Sequence, residues 1–146
     1  MYSDRQINKF FNIAKEYSFM SDFSNRHSSK IGAIITYKNR VISYGYNSTK
    51  QHPIQKEYNK YRFIDGNPCD VDLITNSLHA EMMALLNIRG FKGELSKCSI
   101  FVYREYKSGS MALVRPCEGC SKALNDYEIK NIYYTTNNGW NYERWN

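Results

Sequence analysis

At 146 residues the chain fits one domain with a sizeable core, so we expect a single domain over 1–146. No apolar run approaches the roughly 20 residues a membrane span needs, and the charged N-terminus "MYSDRQINKFFNIAKEY" lacks the apolar core of a secretory leader; no membrane partner is expected, and a cytoplasmic location is. Lysine plus arginine exceed aspartate plus glutamate by 20 − 14 = 6, which favours an anionic partner such as a nucleotide or nucleic acid, but the charge is scattered rather than gathered into a tract.

In chain order, "SDRQINKFFNIAKEYSFMS" carries Ile7, Phe10, Phe11, Ala14 and Tyr17 at helical spacing, with Ser3 or Asp4 as cap. "KIGAIITY" and "RVISYGYN" are β-branched runs joined by "KNR", the pattern of a hairpin. From Ser48 to Asn76 the chain is polar, with Pro53, Gly66 and Pro68, and is expected to form a long loop. "SLHAEMMALL" returns Leu78, Met82, Leu85 and Leu86 at spacings of three and four, so a second helix is expected from near Ser77, stopping at "RGFKG" with Gly90 just past its end. "CSIFVYRE" reads as a buried strand, "EYKSGSMALVR" as an irregular loop or hairpin, and "CEGCSKALNDYE" as a third helix. "IKNIYYTT" is the next strand. "NNG" then "WNYERW" reads as a hairpin return, because Asn-Gly admits the positive φ of a primed turn. Helices alternating with strands in this order predict an α/β fold: a three-layer α/β/α sandwich around a mixed sheet of about five strands, the last two a hairpin. Ligands in such sheets sit at the carboxyl ends of parallel strands.

Four cysteines in a reducing compartment are poor candidates for disulfides. Cys98 at the head of a β-rich run reads as a small buried residue. Cys69 with His52 offers only two ligands, too few for a structural zinc. Cys117 and Cys120 are three apart in "RPCEGC", so on a first helical turn both sulfurs share a face. Pro116 suits a helix start, and the positive end of a helix favours the thiolates that bind metal. A redox pair and two cysteines close by chance remain alternatives, although a thioredoxin-like pair would follow the first strand and this one lies late. A lone histidine such as His79 is ordinarily a core or surface residue. At a first helical turn, however, His79 can reach a metal while Glu81 reaches the water beside it. H-x-E followed about 35 residues on by P-C-x-x-C is the signature of zinc deaminases.

On these residues the chain resembles the cytidine and deoxycytidylate deaminase superfamily, which also contains tRNA adenosine and polynucleotide cytidine deaminases. "SSKIGAIITYKNRVISYGYN" resembles the family's first hairpin, "HAEMMALL" its first zinc helix, "RPCEGCSKAL" its second and "IKNIYYTT" the strand after it. The resemblance implies one catalytic zinc per chain on His79, Cys117 and Cys120, with Glu81 as catalytic acid–base. It implies that Asn47, ending the Gly-x-Asn element, contacts a sugar, and Ala80 is counted with it among substrate-binding residues. Arg26, Lys30 and Arg115 lie beside family motifs and are candidates for a phosphate. His52 is a candidate for stacking on the base or binding phosphate, and Tyr103 and Tyr106 for walling the pocket; solvated surface charge and simple strand-end packing are the plainer readings of these residues. His rather than Cys in "HAE" resembles the deoxycytidylate, guanine and tRNA branches, a hairpin-paired last strand the nucleoside branch, and the long 48–76 segment the insertion of deoxycytidylate-type enzymes.

The chemistry follows from the ligands. Zinc with two thiolates and one imidazole is nearly neutral, so water beside it is acidified less than beside three histidines, and a base must finish the task. Glu81 would take the water's proton, pass it to the ring nitrogen, and then protonate the departing ammonia. The expected function is deamination of a cytosine mononucleotide, deoxycytidylate to deoxyuridylate. The second choice is deamination of cytosine or adenine in single-stranded nucleic acid or tRNA, which the thirteen tyrosines and basic charge would suit. A non-catalytic, zinc-stapled binding module comes third, since such a site has no use for Glu81. Relatives commonly self-associate, so a homo-oligomer is expected.

Overall fold

Ser3 starts the first helix: its Oγ accepts from the Gln6 N–H at 3.2 Å while Gln6 Oε1 accepts from the Ser3 N–H at 2.9 Å, the reciprocal pair of a capping box. From that cap α1 (Asp4–Ser18) turns Ile7, Phe10, Phe11 and Ala14 inward. The computed structural model describes residues 2–23, 29–64, 67–68, 77–106 and 108–145. After α1 come β1 (Ile31–Tyr37), β2 (Arg40–Tyr46), β3 (Ser48–Gln51), α2 (Pro53–Asn59), β4 (Phe63–Ile64), β5 (Asn67–Pro68), β6 (Ser77–Leu78), α3 (Ala80–Leu86), β7 (Cys98–Arg104), α4 (Glu118–Asp126), β8 (Asn131–Thr136) and β9 (Gly139–Arg144).

Five strands make the main sheet in the order β2-β1-β7-β8-β9. β7 and β8 are parallel, and the other neighbours are antiparallel. The period-two alternation of strand side chains divides the core. Ile34, Phe101, Tyr103 and Tyr133 face α1, whereas Ala33, Ile35, Cys98, Ile100, Val102, Ile132 and Tyr134 face the layer holding α3 and α4. The expected three-layer α/β/α sandwich on a mixed five-stranded sheet is therefore present, closed by the β8–β9 hairpin. Among the described residues no helix is long and apolar enough to cross a membrane.

Four local readings need correction. The segment expected as a plain loop contains β3, which pairs with β6, and α2. The second expected helix begins at Ala80 rather than near Ser77, because Ser77 and Leu78 are held in that pairing; it ends at Leu86, and Gly90 takes its positive φ of 81° in the turn beyond. Pro116 precedes the cap of α4 rather than opening the helix. In the last hairpin Thr136 pairs with Gly139, so the turn residues are Asn137 and Asn138, and the positive φ (147°) falls on Gly139 at the start of β9.

α2 matters because it lies against α4. A Cβ on Gly119 would stand 2.7 Å from the Tyr58 carbonyl oxygen, which is fixed backbone. Glycine between the two cysteines thus permits α2 to approach the start of α4 closely.

Candidate functional site

Two helix starts converge on one point. His79 caps α3 in extended conformation (φ −79°, ψ 154°) and makes no side-chain capping bond, which leaves its imidazole free to point elsewhere. Cys117 caps α4, with Sγ accepting from the Cys120 N–H at 3.5 Å, and Cys120 is the third residue of that helix. His79 Nδ1 lies 3.3 Å from Cys120 Sγ and 3.6 Å from Cys117 Sγ. The three donor atoms all fall within 4.8 Å of one another. Zinc–sulfur bonds of about 2.3 Å and zinc–nitrogen bonds of about 2.0–2.1 Å, set tetrahedrally, separate ligand atoms by about 3.5–3.8 Å. The soft N/S₂ donor set and its spacing both fit zinc, with one position left for a non-protein ligand.

The electrostatics of the cluster agree with that fit. The Cys120 thiol donating to Cys117, helped by His79, holds Cys117 down to about 3, while the same contact and burial keep Cys120 well above the usual thiol range. For His79 burial disfavours the imidazolium, but the contact with Cys117 and the charge of Glu81 outweigh it and raise its pKa. The three donors thus share protons at short range, and a divalent cation binds by displacing them.

Glu81, in the first turn of α3, is only 5% exposed. Burial is the largest influence on its carboxyl and pushes its pKa up. It lines a cleft of about 470 Å³ together with His79 and Cys117. Behind the cluster stands a residue that the sequence reading missed. Gln55 of α2 is fully buried; its Oε1 accepts from the His79 N–H at 2.9 Å and its Nε2 donates to Asn59 Oδ1 at 2.9 Å. The backbone of the cluster histidine is therefore fixed by α2. Replacing Gln55 by leucine leaves that buried N–H without its acceptor, a cost of about 1–3 kcal/mol. Outer partners of metal ligands typically matter about 10–100-fold in metal affinity. We expect Gln55→Leu to melt several degrees lower and to release zinc to a chelator more readily. Unchanged melting and metal retention would show that the contact positions nothing.

Several residues expected at the site do line the cleft: Asn47, Ala80 and Arg115. Asn47 is engaged already, its Oδ1 accepting from the Ile31 N–H (2.8 Å) and its Nδ2 donating to the Ser29 carbonyl (2.7 Å), which fixes the start of β1. Arg115 forms a two-pronged pair with Glu143 of β9, at 2.7 and 3.0 Å. Arg115 and Tyr134 hold the Glu143 carboxyl down to about 2. A depressed carboxylate contributes stability in full above its ordinary range and loses it progressively as the pH falls from that range to about 2, so this pair is intact near neutral pH.

Other expected residues lie elsewhere. Tyr103 points to the α1 face, because it is one step out of phase with Val102, and its hydroxyl donates to Glu105. His52 caps α2, its Nδ1 accepting from the Ile54 N–H at 3.1 Å. Tyr106 is exposed, with its hydroxyl on Asn137. Lys30 is not among the residues lining the cleft. Arg26 and Cys69 fall outside the described residues. Cys98 is a small buried residue, its thiol pushed up to about 11 by burial. Among the described residues the cleft also presents Phe23, Arg62 and Arg104. Arg104 was foreseeable, since it continues the Cys98, Ile100, Val102 series on the helix face at the carboxyl end of a parallel strand.

Residues 4–136 match the family model for the cytidine and deoxycytidylate deaminase zinc-binding region. Among solved structures, the dCMP deaminase of cyanophage S-TIM5 in complex with dCMP and dUMP superimposes with a TM-score of 0.59 at 19% identity, covering 92% of this chain and 83% of that one. The cytidine deaminase of Burkholderia pseudomallei gives a TM-score of 0.59 at 15% identity, covering 94% and 91%. A diaminohydroxyphosphoribosylaminopyrimidine deaminase/5-amino-6-(5-phosphoribosylamino)uracil reductase of Thermotoga maritima gives 0.52 at 16% identity, covering 89% of this chain and 29% of that one. At such identities the likeness is one of fold. No curated protein matches the chain.

Proposed function

The chain belongs to the cytidine and deoxycytidylate deaminase family, and from that premise we propose that it deaminates a cytosine mononucleotide hydrolytically, converting deoxycytidylate to deoxyuridylate and ammonia. The observation that carries this reading is the placement of one buried carboxylate, Glu81, on the wall of the cleft that also exposes the His79–Cys117 cluster. A structural zinc site closes with a fourth protein ligand and does without such a carboxylate.

In this reading His79, Cys117 and Cys120 hold one zinc per chain, which when bound supplies the Lewis acidity that brings a water's pKa toward neutrality. Glu81 accepts the water's proton and delivers it to the ring nitrogen beside the amino-bearing carbon. The water oxygen bonds to that carbon; Glu81 then takes the remaining proton from that oxygen and gives it to the amino group, so that the carbon–nitrogen bond breaks, ammonia leaves and a carbonyl remains. One carboxylate acts as base and then as acid, and a raised pKa suits both tasks. Asn47 and Ala80 flank the ring and sugar. The cleft is within the roughly 300–1,000 Å³ of small-molecule sites, which favours a mononucleotide over a polymer. Residues 1–146 act as one domain, and the protein assembles as a homo-oligomer in the cytoplasm.

Ammonia release from a panel of cytosine, adenine and guanine compounds, each as base, nucleoside, monophosphate and oligonucleotide, tests the assignment. Deoxycytidylate should be the best substrate, and oligonucleotides should neither react nor compete well. Reaction within an oligonucleotide but not on the monophosphate would transfer the assignment to a nucleic-acid deaminase. No reaction with any compound, with zinc bound, would leave a zinc-stapled binding module.

A further inference from the structure

The cleft contains a cation whose hydrogen bonding is incomplete. Arg104, the last residue of β7, donates from Nη1 to the Leu113 carbonyl at 3.0 Å and lies 5.8 Å from the centre of the Tyr106 ring. Its Nε is buried and has no partner among the described residues. Native structures rarely leave a buried donor unpaired, and the penalty is larger when the group is charged. Its neighbour in sequence, Glu105, does not compensate it, because that carboxylate lies 3.8 Å from the Lys15 ammonium and accepts from Tyr103 on the α1 side of the sheet. Arg62, just beyond α2, lines the same cleft and has no carboxylate partner among the described residues. Arg115, by contrast, has its charge met by Glu143. The cleft thus holds two guanidinium groups that lack a carboxylate partner among the described residues, beside Glu81 and the Cys117 thiolate.

We propose that Arg104, with Arg62, forms the subsite that selects a substrate carrying a phosphate monoester, and that Arg104 rather than Arg115 determines this specificity. The inference rests on the deaminase reading above and adds to it the residues that read the anion. A planar guanidinium at the wall of the cleft matches a phosphate both in geometry and in charge. The ligand would supply the counter-charge that the group lacks, while the Leu113 carbonyl and the Tyr106 ring keep the side chain in place.

The test uses the zinc-loaded protein and two product probes, deoxyuridylate and deoxyuridine, measured by calorimetry so that binding is read apart from turnover. The parent should bind the monophosphate at least about 10-fold more tightly than the nucleoside. Arg104→Gln should weaken deoxyuridylate by about 10–100-fold, as loss of a charge-assisted contact does, and leave deoxyuridine within about twofold; Arg104→Lys should recover part of the loss. Arg62→Gln should shift the same ligand in the same direction, and it provides an independent reading should Arg104→Gln not fold. Equal weakening of both probes would reduce Arg104 to a packing residue and overturn the proposal. So would a parent that binds the nucleoside as well as the monophosphate, and in that case deamination of cytidine compounds would still uphold the deaminase reading. Phosphate-selective binding that depends on Arg104, without turnover of any compound, would uphold the subsite and sink the deaminase reading.

Discussion

Replacing Glu81 by glutamine is expected to slow deamination by about 10²–10⁴-fold or more while leaving zinc and fold in place. General acid–base groups typically contribute within that range, and Glu81 is proposed to serve in both halves of the reaction, which puts the loss at or beyond its upper end. Glutamine keeps the shape and can still hydrogen-bond, but it cannot carry a proton. The metal cluster is untouched, because the donors are His79, Cys117 and Cys120. Stability should not suffer either. A carboxylate that is 5% exposed bears a desolvation cost that an amide of the same shape avoids, so the variant should melt at or above the parent temperature. Binding of a hydrated, tetrahedral ring analogue should weaken more than binding of the planar substrate, since the carboxylate matters most at that stage. Turnover by Glu81→Gln at close to the parent rate would overturn the assigned mechanism. A fall in zinc content alongside the rate would mean that Glu81 supports the metal rather than the proton transfers.

The contrast between what the sequence discloses and what it conceals has a physical basis. α1 is legible because its cap and its apolar spacing agree: Ser3 and Gln6 close the capping box, and Ile7, Phe10, Phe11 and Ala14 repeat with the helical period. The sheet strands are legible because both faces of the sheet are covered, so β1 and β7 read as continuous apolar runs. α2 is concealed for the opposite reason. The residues it buries are Gln55 and Asn59, four apart, and a pattern search for apolar spacing sees a polar loop there. β3 exposes three of its four residues, so it shows no alternation. The start of α3 is misplaced because Ser77 is a better helix cap than His79, and only the pairing of Ser77 and Leu78 with β3, a long-range contact, decides against it.

The same division runs through the site. His79, Glu81, Cys117 and Cys120 lie on two short helix starts, so local spacing suffices to group them. Gln55 approaches from α2 and Arg104 from the end of β7, and neither belongs to a motif. Arg104 could still have been found by counting along the strand. Cys98, Ile100 and Val102 face the helix layer that holds the cluster, so the next residue in phase is Arg104, and the adjacent Tyr103 must face α1. Aromatic residues draw attention as pocket walls, but strand phase decides which face they reach.

Replacing Cys117 by serine should remove most of the metal and lower the stability of the site. A hydroxyl is a far poorer zinc ligand than a thiolate, and Cys117 is the donor that the surroundings hold ionised, down to about 3. The purified parent should carry about one zinc per chain, and the variant only a small fraction of it after dialysis against a mild chelator. Fold stability should follow the metal, because binding energy at a site assembled by folding is also folding energy. His79 caps α3, Cys117 caps α4, and Gln55 ties α2 to the His79 backbone, so loss of the ion loosens three helices at one point. The sheet and the α1 layer have their own core and should persist. The expected result is thus a folded, inactive protein that melts at least several degrees below the parent. A chelator should lower the parent's melting temperature toward the variant's, and should move the variant little. Undiminished zinc in Cys117→Ser would refute the ligand assignment. Full loss of zinc with no change in melting would show that the three helices are held by their own packing, with the ion reserved for chemistry.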